Sequence, residues 1–283
     1  MTEVAPGVFV HTGVHEDIGP ANHGDIANIG FIVGQKGVAV IDTGNTLALG
    51  QELRAAIREE TDRPVLYVIN THVHPDHIFG NAAFREDKPQ FVGHEKLAEA
   101  MTNKAPFYLE TLRTFMGADS AKGIEVIPPT VAVKTGAPLE LDLGGRTLTV
   151  TAFPTAHTNT DVTVMDSKTR TLWSGDLVFV GRAPSLDGSI LGWVKAIDVL
   201  RRVKADRVVP GHGPASVEWP AALDDESRYF AVLLKDVRAV LKANGTIEQA
   251  IKTAGQEESG KWALFDDYNG RNVTQTFVEL EWE

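Results

Sequence analysis

Residues 71–77 read Thr-His-Val-His-Pro-Asp-His, which sets the imidazoles of His72, His74 and His77 beside the carboxylate of Asp76. Nitrogen and oxygen donors gathered in one turn are what a divalent zinc site needs. A catalytic zinc usually takes three protein ligands and keeps one position open. Four candidate donors in a single turn exceed that number, and the surplus points to two metals.

Three more residues of ligand type occur downstream. His157 follows Ala152-Phe153-Pro154-Thr155-Ala156, Asp176 follows Leu172-Trp173-Ser174-Gly175, and His212 follows Val208-Val209-Pro210-Gly211. Each comes after an apolar run, beside a small residue or proline. Strand ends that converge on one rim can bring such residues together. A lone loop histidine is more often a surface or capping residue than a ligand, whereas seven residues of ligand type in this order point to ligation. His11, His15, His23 and His94 lack this context and read as structural. Among them His23, in the loop Pro20-Ala21-Asn22-His23-Gly24-Asp25, is the one retained as a candidate substrate contact. Asp42, in Asp42-Thr43-Gly44, reads either as a carboxylate orienting a ligand or the histidine loop, or as a simple turn residue.

The elements that must position these groups follow from hydrophobic patterning. Val65-Leu66-Tyr67-Val68-Ile69-Asn70 reads as a buried strand feeding the histidine turn. Val8-Phe9-Val10-His11, residues 27–33 and residues 37–42 read as three earlier strands closed by glycine turns. Residues 51–60 carry Leu53, Ala56 and Ile57 at helical spacing. Phe91-Val92 is a short strand, and residues 94–116 form one or two helices interrupted at Pro106. Residues 139–143 and 147–151 flank Gly144-Gly145 as a hairpin. Further strands are expected at 161–166, 171–173 and 207–210. Helices are expected at 192–204, 220–243, 247–254 and 271–281. Two β-rich halves with helices outside them suggest two packed sheets in a helical sandwich.

Composition narrows the function classes. A chain of 283 residues can bury a sizeable core, as one large domain or two small ones; no linker is evident, so residues 1–283 are taken as one domain. Hydrophobic residues at 43% and charged residues at 23% are ordinary for a soluble globular protein. No apolar run approaches the roughly 20 residues that span a bilayer. Met1-Thr2-Glu3-Val4-Ala5-Pro6 lacks the features of a signal peptide, which points to the cytoplasm, or to the periplasm if a leader has been removed. The chain contains no cysteine, which excludes disulfides, thiolate ligands and a cysteine nucleophile. A net charge of −11 offers no basic footprint for a nucleic-acid backbone. A small molecule is the expected partner.

Taken together, His72-Val73-His74-Pro75-Asp76-His77, then His157, Asp176 and His212 in that order, resemble the metallo-β-lactamase-fold hydrolase superfamily. The resemblance runs from Ile41-Asp42-Thr43-Gly44 to Pro210-Gly211-His212-Gly213 and implies a four-layer αββα sandwich. It also implies that His72, His74 and His157 hold one metal, that Asp76, His77 and His212 hold a second, and that Asp176 bridges them. The implied cofactors are two Zn2+, with Fe or Mn as alternatives. A loop between early strands, here the one with His23, would overhang the metals. Zinc β-lactamases carry Cys or Ser at the position of Asp176, and the oxygen-reducing di-iron branch carries a carboxylate at that of His74. RNA-processing members have larger nucleic-acid surfaces than this acidic chain suggests.

What remains is the Asp-bridged, glyoxalase II-like and lactonase-like group, although the glutathione-binding pattern of glyoxalase II is not found. A closer resemblance is to SoxH-like hydrolases associated with quinoprotein relay systems. It is carried by His15-Glu16-Asp17, residues 24–30, Gly175-Asp176-Leu177-Val178-Phe179, Asp187-Gly188-Ser189 and Gly192-Trp193.

The expected function is hydrolysis of a thioester, lactone or related ester by hydroxide held between two metals, with Asp76 orienting the nucleophile or accepting its proton. Rival readings are a mononuclear iron persulfide dioxygenase and a non-catalytic binder of metal or sulfur intermediates. Arg182 could bind a substrate carboxylate, or be a solvated surface residue. Trp193 could wall the pocket, or pack in the core. Leu97, Met101, Phe107, Leu109, Leu112 and Phe115 read as core or as an interface, such as that of a homodimer, and the helices of 94–116 as a lid or dimer surface.

Overall fold

The computed structural model describes residues 1–283. The first sheet has seven strands in chain order: β1 (Thr2–Ala5), β2 (Val8–His11), β3 (Ile29–Val33), β4 (Val38–Ile41), β5 (Val65–Ile69), β6 (Gln90–His94) and β7 (Val131–Val133). Its first four strands pair antiparallel, and β4 to β7 run parallel. The second sheet has six strands. They are β8 (Leu139–Asp142), β9 (Thr147–Ala152), β10 (Val162–Asp166), β11 (Thr171–Phe179), β12 (Arg207–His212) and β13 (Val217–Glu218), in the reverse order β13 to β8.

Strand periodicity sorts the core into layers. In β4, Ala39 and Ile41 face the second sheet while Val38 and Val40 face outward. In β11 and β12, Trp173 and Val209 point into the seam between the sheets, whereas Leu172 and Val208 point outward. The seam is filled by Val10, Ile32, Ile69 and Val92 from one sheet and by Leu148, Val150, Val162 and Val164 from the other. Outside the first sheet lies α1 (Leu47–Glu60), packing Leu53 and Ile57 on Phe31 and Val40. Outside the second lie α4 (Ile190–Leu200), α5 (Asp224–Lys242), α6 (Ile247–Thr253) and α7 (Phe265–Leu280). The fold is the four-layer αββα sandwich expected.

Each half contains a parallel βαβ unit, β4–α1–β5 and β11–α4–β12. Their carboxyl ends open on one rim, where ligands gather in open α/β sheets. Thr46 caps α1 by accepting from the Leu49 N–H, and Ser189 caps α4 by accepting from the Gly192 N–H. A short helix, α2 (Pro75–Ile78), follows β5 and starts on a proline at its first position. Above the rim, α3 (Leu97–Met116) runs unbroken through Pro106. Pro106 is exposed, so the carbonyl it cannot serve faces water, and no break is needed. α7 starts at Phe265, earlier than the pattern suggests, because Asn269 and Gly270 read as a turn yet lie inside the helix. No helix is long and apolar enough to cross a membrane.

Candidate metal centre

His72 and His74 sit in the turn leaving β5, and Asp76 and His77 in α2. His157 follows β9, Asp176 lies within β11, and His212 ends β12. The rim gathers them into two groups able to hold metal ions: His72, His74, His157 and Asp176, and beside them Asp76, His77 and His212.

In the first group, His74 Nδ1 lies 3.2 Å from His72 Nε2 and 3.0 Å from His157 Nε2. Asp176 Oδ2 is 3.6 and 3.3 Å from the same two Nε2 atoms. Donors placed tetrahedrally at about 2.0–2.1 Å from one zinc stand about 3.3 Å apart, which these spacings match. In the second, Asp76 Oδ2 lies 3.6 Å from His77 Nε2 and 3.4 Å from His212 Nε2. Asp176 reaches this group as well, with Oδ1 at 3.2 Å from His77 Nε2 and Oδ2 at 3.3 Å from His212 Nε2. One carboxylate thus faces donors of both groups.

The ring nitrogens that face away from the centre are all engaged, which fixes which nitrogen points inward. His77 Nδ1 lies 2.8 Å from Asp42 Oδ2, and His157 Nδ1 lies 2.6 Å from the Ser185 carbonyl. His72 Nδ1 is 3.0 Å from the Thr71 hydroxyl, and His212 Nδ1 is 2.7 Å from the Ile26 carbonyl. His74 is reversed: its Nε2 meets Asp187 Oδ2 at 3.2 Å, and its Nδ1 faces inward. Asp42 also accepts from the Thr71 N–H and hydroxyl, so it holds both the start of the histidine turn and His77.

The residues present fit a pair of cations. His77 Nε2 and Asp176 Oδ1 are buried without a hydrogen-bond partner, and a metal would supply one. Burial keeps the His72 and His157 imidazoles neutral, holding His157 down to about 3, which is the ligand form. Burial opposes ionisation of Asp176, but His212, His77 and His72 hold its carboxyl well below the usual range. Burial likewise opposes protonation of His77, yet Asp176, Asp76 and Asp42 outweigh it and push its pKa well up, so a cation bound there would have to displace that proton. Two glycines allow close approach at the centre, Gly211 to Asp176 and Gly175 to Thr71. A Cβ on Gly211 would stand 1.9 Å from Asp176 Oδ1, and one on Gly175 would stand 2.6 Å from Thr71 Cβ.

A cleft of about 270 Å³ opens over this centre, with His74, Asp76, Asp176 and His212 in its lining. Phe107, Tyr108 and Phe115 of α3 line it, as do Arg182, Tyr268 and Arg271. Burial, with Asp187 and Asp76 nearby, keeps the Tyr108 phenol protonated far above its ordinary range.

The other candidates fall in different places. Arg182 lines the cleft but is only 2% exposed, so it is not a solvated surface residue. Trp193 is fully buried and donates to the Leu177 carbonyl; its ring packs on His157, Phe179 and Phe230 behind the centre, not in the cleft. His23 is exposed, in the left-handed region (φ 52°), beside an outer groove with Thr46, Leu47 and Met116. Of the histidines read as structural, His11 pairs with Asp25, and His94 bonds the Phe153 carbonyl across the sheets.

Several positions carry little or no signal in the sequence: Tyr108, Tyr268 and Arg271 of the cleft lining, and also Asp187 and Asn45. Asp187 orients His74 and pairs with Lys104 of α3, but an Asp-Gly turn carries no signal of that role. Asn45 is fully buried, lines the cleft, and leaves both amide atoms unpartnered. Its place three residues after Asp42, in the same β4–α1 turn, is the only hint in sequence.

Comparison with known proteins agrees with this architecture. The chain is 28% identical over 186 residues to the 2,4-dinitroanisole O-demethylase subunit alpha of a Nocardioides species, covering 64% of this chain and 51% of that protein. It therefore spans about half the length of that curated relative. A metallo-beta-lactamase from Pontibacter korlensis superposes with a TM-score of 0.64 at 24% identity, covering 81% of this chain and 97% of that one. The stereoselective inverting sec-alkylsulfatase Pisa1 from a Pseudomonas species superposes with a TM-score of 0.74 at 16% identity, covering 98% of this chain and 50% of that one. The family model described as "Metallo-beta-lactamase superfamily" matches residues 24–212, the span that begins in the loop before β3 and closes on the last histidine of the rim, and the chain belongs to that superfamily.

Proposed function

We propose that this chain is a hydrolase that works with two divalent metal ions, zinc first among them, on an ester-type bond. The observation that carries the reading is Asp176, whose two oxygens face donors of both groups within one buried rim. Ions held there would polarise the scissile group and lower the pKa of water toward about 7. His72, His74, His157 and Asp176 would hold one ion, and Asp76, His77, His212 and Asp176 the other. Asp76 lines the cleft with its carboxyl held below the usual range, where burial is outweighed by His77 and His212; it would orient the attacking water and take its proton. Tyr108 stands over His74 as a neutral phenol able to donate to the substrate. Residues 1–283 would act as one unit.

A thioester or lactone is the substrate bond favoured by the resemblance to the glyoxalase II-like and SoxH-like branch. The sec-alkylsulfatase likeness, which reaches 98% of this chain, gives sulfate esters a place as a second reading.

The test is elemental analysis of protein purified without added metal, followed by a panel of thioesters, lactones and alkyl sulfates. Two zincs per chain and metal-dependent turnover of one class support the reading. Metal-loaded protein that turns over none of them overturns it, as would one iron per chain with oxygen uptake on a persulfide.

A further inference from the structure

The wall of the cleft formed by Arg182, Tyr268 and Arg271 is electrostatically incomplete. Arg182 is buried, and its Nε has no partner. Its Nη2 donates to the Tyr268 hydroxyl at 2.9 Å. Its Nη1 lies 2.8 Å from His212 Nδ1, but that nitrogen also faces the Ile26 carbonyl at 2.7 Å. With His212 Nε2 turned toward the centre, Nδ1 carries the proton and donates to Ile26, so it cannot accept from Arg182. The nearest carboxylate, Asp17, stands 4.0 Å away and already accepts from the Tyr268 hydroxyl. A buried guanidinium without a hydrogen-bonded anion is unusual, because buried charges are paired.

Arg271 adds a second cation to the same wall. The guanidinium carbons of Arg182 and Arg271 each lie 5.3 Å from the Tyr268 ring centroid. The α3 wall has the other character: Phe107 is 69% exposed and Phe115 59% exposed, two large apolar rings at the cleft. Such rings in water at a cleft mark a surface that something apolar covers.

We infer that the cleft takes an amphiphilic oxyanion, a substrate with an acidic group seated on Arg182 and Arg271 and an apolar body lying along Phe107 and Phe115. This rests on the hydrolase reading only for the bond between the two ends, since the recognition itself needs no turnover. Arginine suits the acidic end because its planar fork pairs with two oxygens at once. Separate polar and apolar walls make the two ends additive, so a ligand with either one alone binds more weakly.

The test is calorimetric titration of the purified, metal-bearing protein with 4-phenylbutyrate, 4-phenylbutan-1-ol and butyrate, none of which has a bond to hydrolyse. The expected result is that 4-phenylbutyrate binds at least tenfold more tightly than either of the others. Arg271→Gln, at an exposed position that leaves the fold intact, should weaken 4-phenylbutyrate about tenfold and leave the alcohol unchanged. Phe107→Ala with Phe115→Ala should weaken both phenyl ligands. Equal affinity of acid and alcohol would overturn the inference, as would an Arg271→Gln protein that binds the acid like the parent, since the acid would then sit on the metals. Turnover of neutral esters with no preference for the acid would leave the hydrolase standing and remove this inference alone.

Discussion

Asp42 Oδ2 lies 2.8 Å from His77 Nδ1, and neither side chain meets solvent. The same carboxylate accepts from the Thr71 N–H at 2.8 Å and from its hydroxyl at 2.7 Å. It therefore sets the orientation of His77 and the start of the turn carrying His72 and His74. Asp42→Asn keeps the shape and tolerates the left-handed backbone there (φ 54°), but loses the charge. Metal affinity at the His77 position should fall about 10- to 100-fold, as for other residues that orient ligands. Competition against a chelator would measure it; unchanged affinity would return Asp42 to the role of a turn carboxylate.

Asp187 does for His74 what Asp42 does for His77, but from a half-exposed position and with Lys104 of α3 as its counter-ion. His74 and Lys104, with burial opposing them, hold its carboxyl far below the usual range. Asp187→Ala should lower metal affinity in the His72–His74–His157 group by about tenfold or more, with Lys104→Ala milder in the same direction. Cobalt substitution would follow this through the visible spectrum of that site.

Asn45 separates binding from folding. Its amide makes no hydrogen bond, so Asn45→Ala removes no protein–protein bond, and the melting temperature should hold within a few degrees. If the amide instead completes its bonds on substrate, KM should rise about tenfold, equivalent to about 1.4 kcal/mol. A large fall in melting temperature with an unchanged KM would assign Asn45 a structural role.

Glu226 predicts a pH dependence. It is fully buried on α5, one oxygen accepts from the Phe179 N–H, and the other has no partner. Burial pushes its pKa well above the ordinary value of 4.5, with Asp176 adding to the rise. The folded state therefore holds a proton that the unfolded chain releases above that value. The stability from this group is full below about pH 4.5 and is lost as pH rises toward the raised value, by about 1.4 kcal/mol per unit within the window. Glu226→Gln should remove that slope, matching the parent at pH 5 and melting higher at pH 9. Parallel melting curves at both pH values would contradict the assignment.

Much of the centre was legible because its residues are scarce and well marked. His157 and His212 each follow an apolar run, so hydrophobic patterning locates strand and ligand together, whereas Asp176 lies inside β11, which continues through Leu177, Val178 and Phe179 beyond the expected end at residue 173. The layered fold was legible in the order of two β-rich halves with helices outside them, not in alternation, because β4 and β11 are buried on both faces. Single polar residues whose meaning depends on long-range neighbours were not legible. Arg182 meets Tyr268 from 86 residues away, and His74 meets Asp187 across 113. Nor could helical spacing divide α3. Leu97, Met101 and Leu112 bury into a local core while Phe107 and Phe115 turn to the cleft, a distinction made by what lies opposite each face.

The seam between the sheets passes directly beneath the rim, and each metal group draws donors from both sides of it. His74 and His157 meet across 83 residues of chain, and Asp76 and His212 come from opposite halves in the same way. Neither set of donors is complete without both halves docked, so a metal bound there would act as a clasp between them. Free metal concentration would then set how tightly the two halves stay shut, since a ligand that binds only the native state stabilises it in proportion to the logarithm of its concentration. A cell that withholds the metal would leave the two halves held by the buried seam alone, without that added stabilisation.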